Sequence, residues 1–173
     1  MATHRIPIIS QNMLPDSGVF FDLVSNQITA AAAPSIGNQL AIVMADGGAD
    51  EGFYANFLVP KNYVGAPVLV VRGVLDGAPG AADTLGFGFR KRAVANNEVA
   101  DGTYDAEQVV SSTIGSSGSG HANEDEIELT ITLTAGDYVI DDSVYYYCFI
   151  DSSGTTYVGN FLLTGLDLQY DDA

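Results

Sequence analysis

The stretch FYANFLVPKNYVGAPVLVVRGVL, residues 53–75, holds two apolar runs rich in aromatic and β-branched residues, joined by the link Val-Pro-Lys-Asn-Tyr-Val-Gly-Ala-Pro at 59–67. Two prolines within nine residues rule out one continuous helix, so the stretch reads as strand, link, strand. Pro60 cannot donate to a ladder, Gly65 permits a tight bend, and Pro67 is expected to start the next strand.

Period-two alternation extends outward from that stretch. Across 126–134, Ile127, Leu129, Ile131 and Leu133 share one side while Glu128, Thr130, Thr132 and Thr134 share the other, the pattern of a half-exposed strand. Ala135-Gly136-Asp137 then forms a turn in which Gly136 can take positive φ, and a further strand follows at 144–150. Other strands are expected at 18–24, 39–45, 53–59, 67–75, 84–94, 104–112 and 157–170. Gly, Pro, Asn and Asp fall between them, the spacing of an all-β fold in which antiparallel sheets pack as a β-sandwich. Residues 29–33 allow one turn of helix before Pro34 stops it. The Ser/Gly run at 115–120 and the acidic residues after it read as a solvated loop. The chain divides into an irregular arm with a leading strand, 1–34, and a sandwich domain, 35–173.

Composition narrows the partners. With 22 acidic against 6 basic residues the formal charge is -16, a surface that repels phosphate backbones and anionic lipid, so neither nucleic acid nor membrane is expected. A basic protein surface or divalent cations suit it better. The start, MATHRIPIIS, lacks a secretory h-region, which implies synthesis in the cytoplasm. The lone cysteine, Cys148, sits in an aromatic run with no nearby cation, as a small buried hydrophobe would.

Some strands are apolar on both sides. Leu69, Val71 and Leu75 alternate with Val68, Val70 and Val74, while Tyr145, Tyr147 and Phe149 alternate with Tyr146, Cys148 and Ile150. A sandwich buries only one face of each strand, so the second face must meet another subunit or the chain's own arm. An oligomer is the expectation, with the arm as the alternative.

Candidate chemistry is sparse. Three of the six basic residues stand together as Arg90-Lys91-Arg92. Lys91 shares a face with Leu85, Phe87 and Phe89, whereas Arg90 and Arg92 point outward beside Gly86 and Gly88, a flat cationic strip suited to the carboxylates of a neighbour or to plain solvation. The acidic turns at 46–51 and 141–142 lack the ligand order of a calcium loop, so no metal site is expected. Neither His4 nor His121 is placed as a general base, and no GxSxG, HExxH or P-loop occurs. The reading is of a non-enzyme without catalytic residues or cofactor. Nine tyrosines offer platforms for sugar rings, although the chain has no Trp.

The segment Phe57-Leu58-Val59-Pro60-Lys61-Asn62-Tyr63-Val64-Gly65 followed by an apolar strand, the polar strand at 126–134, the Ala-Gly-Asp at 135–137, the strand at 144–150, the Gly-Thr turn at 154–155 and the closing strand ending Leu-Asp-Leu-Gln-Tyr at 166–170 resemble the jelly-roll modules of tailed-bacteriophage virion proteins. The resemblance covers roughly residues 53–170 and implies a jelly-roll sandwich with an extended N-terminal arm. It also implies a structural virion protein, a trimeric capsid decoration (cement) protein on the major capsid protein, with a tail-fibre, receptor-binding or glycan-binding module as the alternative. The residues expected to make subunit or capsid contacts are His4, Arg5, Ile6, Pro7 and Ile8 in the arm, Arg90, Lys91 and Arg92, and Tyr145 and Tyr147.

Overall fold

The computed structural model of the chain describes residues 2–8, 14–15, 20–22, 41–44, 51–95, 97–99, 102–115 and 126–173. The helical turn expected at 29–33, the acidic residues 46–50, the Ser/Gly run beyond Gly115 and His121 lie outside them. In chain order the strands are β1 (Thr3–Pro7), β2 (Leu14–Pro15), β3 (Phe20–Asp22), β4 (Ala41–Met44), β5 (Glu51–Leu58), β6 (Tyr63–Leu75), β7 (Thr84–Val94), β8 (Gln108–Thr113), β9 (Glu126–Thr132), β10 (Ser143–Ile150) and β11 (Phe161–Asp172). One 3-10 turn, Ala135–Asp137, lies between β9 and β10.

All pairings are antiparallel. The first sheet runs β3-β4-β11-β6-β9 with β1 beside β11, and the second runs β2-β5-β10-β7-β8. The chain crosses between sheets at almost every connection from β4 onward, giving central orders β4-β11-β6-β9 and β5-β10-β7-β8. That interleaving is the double Greek key of a jelly roll.

The opening stretch folds as β5, a tight turn and β6, with two differences from expectation. Only residues 59–62 stand outside the strands, and the amide of Tyr63 donates to the carbonyl of Pro60 at 3.1 Å. Pro67 therefore lies inside β6. It is tolerated because the ladder to β11 shifts register between Gln169 and Asp171, and Ala66, not Gly65, takes the left-handed φ of 49°. Likewise the left-handed residue after the 3-10 turn is Asp141, with φ 68°, rather than Gly136. A bulge hides its position from alternation, because the extra residue leaves composition unchanged.

Inner side chains from both sheets form one core. Phe53, Phe57, Leu85, Phe87, Phe89, Val144, Tyr146, Cys148 and Ile150 of the second sheet meet Leu69, Val71, Leu75, Ile127, Leu129, Ile131, Phe161, Leu163, Leu166 and Leu168 of the first. A second register shift, between Leu163 and Gly165, lets Leu163 and Leu166 both face inward although they are three residues apart. Gly73 lies under the Phe161 ring, where a Cβ would collide with it.

The arm's leading strand is part of the first sheet. β1 pairs with β11 from Thr3↔Asp171 to Pro7↔Asp167, and Ile8 is fully buried in the core. His4 Nε2 and Asp172 Oδ2 are 2.7 Å apart, and the amide of Ala2 donates to Asp172 Oδ1 at 2.7 Å. These bonds hold Asp172 below its ordinary pKa, the Ala2 amide foremost. Arg5 donates to Gln169 at 3.0 Å and reaches Glu128 of β9 at 3.4 Å. His4 and Arg5 thus have partners within their own chain, Ile6 and Ile8 pack toward the core, and His4, Arg5 and Pro7 stay exposed on the first sheet.

Several apolar side chains of the outer faces are also covered within one chain. On the first sheet Val70 and Leu162 have 0% exposure, next to the ion pair between Arg72 and Asp167. On the second sheet Phe149 is fully buried: its ring covers Gly88, where a Cβ would strike it, and Tyr147 stacks on it with centroids 5.5 Å apart. Val70, Leu162 and Phe149 are thus hidden within one chain, whereas Tyr54, Tyr145 and Tyr147 on the outer face of the second sheet stay partly exposed.

Candidate functional site

The second sheet turns one face to the core and the other outward, and parity assigns each side chain. On β10, Val144, Tyr146, Cys148 and Ile150 face in while Tyr145, Tyr147 and Phe149 face out. Register places Tyr54 of β5 and Arg90 of β7 on either side of Tyr147, and Asn56 and Arg92 on either side of Tyr145. The outer face therefore carries a central aromatic column. Tyr54 is 40% exposed and lies 4.9 Å from Tyr147 and 6.5 Å from Tyr104, centroid to centroid.

Tyr104 comes from the β7–β8 connection, whose described residues are 95, 97–99 and 102–107. This connection rises beside the end of β7 and walls the aromatic column, leaving an open groove of about 640 Å³ lined by Tyr54, Tyr147, Tyr104, Arg90 and Glu107 among others. Burial pushes the Tyr104 phenol above its ordinary pKa.

The basic tripeptide holds that wall in place. Arg90 donates from Nε and Nη2 to Glu107 Oε2 at 3.3 and 2.8 Å, and its guanidinium sits 5.6 Å from the centre of the Phe149 ring. Lys91 Nζ bonds Asp105 at 2.6 Å and Asp137 at 2.8 Å, while its own carbonyl accepts the Asp105 amide at 2.8 Å. Arg92 donates to the Val99 carbonyl at 2.5 Å and packs on Gly102. Three consecutive side chains thus fasten three points of one connection.

Lys91 points inward, at 3% exposure, so its ammonium is buried beneath the sheet and not offered to a capsid or subunit. Burial alone would lower its pKa, but the bonds to Asp105 and Asp137 outweigh that and raise it. Arg90 and Arg92 do point outward as expected, yet the carboxylate that meets Arg90 belongs to the chain's own Glu107. Tyr145 and Tyr147 are half-buried on the same face. Hence the structure gathers Arg90, Arg92, Tyr145 and Tyr147 on one surface, with Lys91 behind it and the β1 residues on the other sheet.

Sequence reasoning missed Tyr54, Tyr104, Glu107 and the pairing of Lys91 with Asp105 and Asp137. Tyr54 was legible in principle, because alternation with the core residues Phe53 and Ala55 puts it outside. The long-range pairs left no local trace. Among the described residues no three His, Cys, Asp or Glu side chains converge as a metal site. Cys148 is fully buried, and burial pushes its thiol well up, which leaves it unreactive.

No protein-family model and no curated protein matches the chain. Among solved structures it is similar to an arabinose-bound GH51 α-L-arabinofuranosidase at 12% identity and TM-score 0.48, covering 91% of this chain but only 23% of that one. It is also similar to the CBM22-1 xylan-binding domain of Xyn10C from Paenibacillus barcinonensis, at 13% identity and TM-score 0.44, covering 98% and 94% of the two chains. A third is the K3 cleaved adhesin domain of Lys-gingipain from Porphyromonas gingivalis, at 15% identity and TM-score 0.36, covering 75% and 72%.

Proposed function

We propose that the chain is a non-catalytic glycan-binding jelly-roll module, and that its binding surface is the outer face of the β5-β10-β7-β8 sheet. One observation carries the reading: Tyr54, Tyr147 and Tyr104 line an open groove together, with Tyr54 4.9 and 6.5 Å from the other two rings, and polar groups from Arg90 and Glu107 at its side. Aromatic rings with a polar tip suit sugars, whose ring faces carry C–H groups and whose edges carry hydroxyls. A concave site with an aromatic lining and a few placed polar groups is the usual form of a small-ligand site. The wall is tied down before any ligand arrives, so binding need not order it.

The test is electrophoresis of the folded protein through gels containing single soluble polysaccharides. The expected result is retardation by at least one of them, competed by its own oligosaccharides. Absence of retardation across a broad panel, together with saturable binding to undecorated phage capsids, would replace this reading with the capsid-decoration role implied by the resemblance to virion modules.

A further inference from the structure

We infer that the groove selects uncharged sugar chains over acidic ones, and that Glu107 sets the choice. This inference rests on the glycan-binding reading of the same groove. A guanidinium at the side of an aromatic groove is the group expected to grip the carboxylate of a uronic sugar, since its fork of donors matches that anion. In this chain the fork is engaged from within, because Nε and Nη2 of Arg90 both donate to Oε2 of Glu107, at 3.3 and 2.8 Å. Both side chains line the groove, together with Asp105. The carboxylate of Glu107 occupies the Nε–Nη2 edge of the guanidinium, and a sugar carboxylate docking on that edge would have to displace it.

The charge of the whole chain acts in the same direction by an independent route. At -16 the protein repels polyanions over distances of a screening length, while stacking and hydroxyl hydrogen bonds to an uncharged chain carry no such penalty. Glu107 is in this sense a specificity residue: removing its charge releases Arg90 to an incoming carboxylate. Arg90 pairs with Glu107, while Lys91 is occupied on the other side of the strand by Asp105 and Asp137.

The experiment compares gel retardation by xylan or a soluble β-glucan with retardation by polygalacturonate, at neutral pH, for the wild type and for Glu107→Gln, with thermal melts confirming that each is folded. The wild type is expected to be retarded by a neutral chain and not by polygalacturonate. In Glu107→Gln the ratio of polygalacturonate to neutral-chain affinity should rise about tenfold, the effect of one charge-assisted contact. That gain should vanish in about 1 M salt, where the screening length is ~3 Å, and in the double variant that adds Arg90→Gln. Wild-type binding to polygalacturonate as tight as to neutral chains, or an unchanged ratio in folded Glu107→Gln, overturns the selectivity and leaves the groove a glycan site. Failure of both polymer classes to bind overturns the glycan reading itself and this inference with it.

Discussion

Tyr146 and Tyr147 are neighbours on one strand, yet they belong to different parts of the molecule. Tyr146 is fully buried between the sheets, its hydroxyl 2.5 Å from that of Tyr138, and burial holds its phenol far above the ordinary pKa. Tyr147 lies on the outer face against Tyr54. Arg90 and Lys91 repeat the contrast one strand away, the first over the Phe149 ring at the groove and the second turned inward between two partly exposed aspartates. Residue type alone says little in this sheet. Parity decides whether a tyrosine or a cation serves the core or the surface.

The contrast is broken most severely from the inside. Phe89 is fully buried and meets the Tyr146 ring edge-on at 5.6 Å, so Phe89→Ala should destabilise the fold by about 3–5 kcal/mol, the range for emptying a buried aromatic site. Chemical denaturation checks this. A loss under 1 kcal/mol, the size of a surface change, would mean that the inner face does not hold the sandwich together.

A smaller effect should appear with alkali. Burial raises the pKa values of Tyr138, Tyr146, Tyr157 and Cys148, and the two aspartates raise that of Lys91 against the opposing pull of burial. Each of these groups holds its proton more tightly folded than unfolded. The stability they contribute is therefore complete below the unfolded values, 9.0 for the thiol and 10.0 for the phenols, and is lost as pH rises past them. Melting temperatures should be level near neutrality and fall above about pH 9, whereas groove substitutions such as Tyr54→Ala should leave that profile in place. A profile unchanged up to about pH 11 would show that these phenols are not buried in solution.

Much of this was legible before the structure. Alternation in 126–134 and 84–94 separated inner from outer faces, and it placed Lys91 inside and Arg90 outside. The strands at 126–132 and 143–150 fall within two residues of their expected ends, because turn residues flank them. What alternation could not show is anything requiring the third dimension. The bulges at Ala66 and between Leu163 and Gly165 carry no sequence mark distinct from other loops, and the first lets Pro67 lie inside a strand. The acids that meet the basic tripeptide lie 14 and 46 residues from Lys91, at Asp105 and Asp137, and 17 residues from Arg90, at Glu107. With 22 acidic residues to choose from, charge alone could not identify them.

The central claim is that the outer face of the second sheet binds while its inner face folds, and calorimetric titration of wild type and Tyr54→Ala with a retained oligosaccharide tests it most directly. Tyr54 is 40% exposed, so its removal should change stability by less than about 1 kcal/mol yet weaken binding about tenfold or more, as loss of a central aromatic contact does. Undiminished binding by folded Tyr54→Ala would contradict the account.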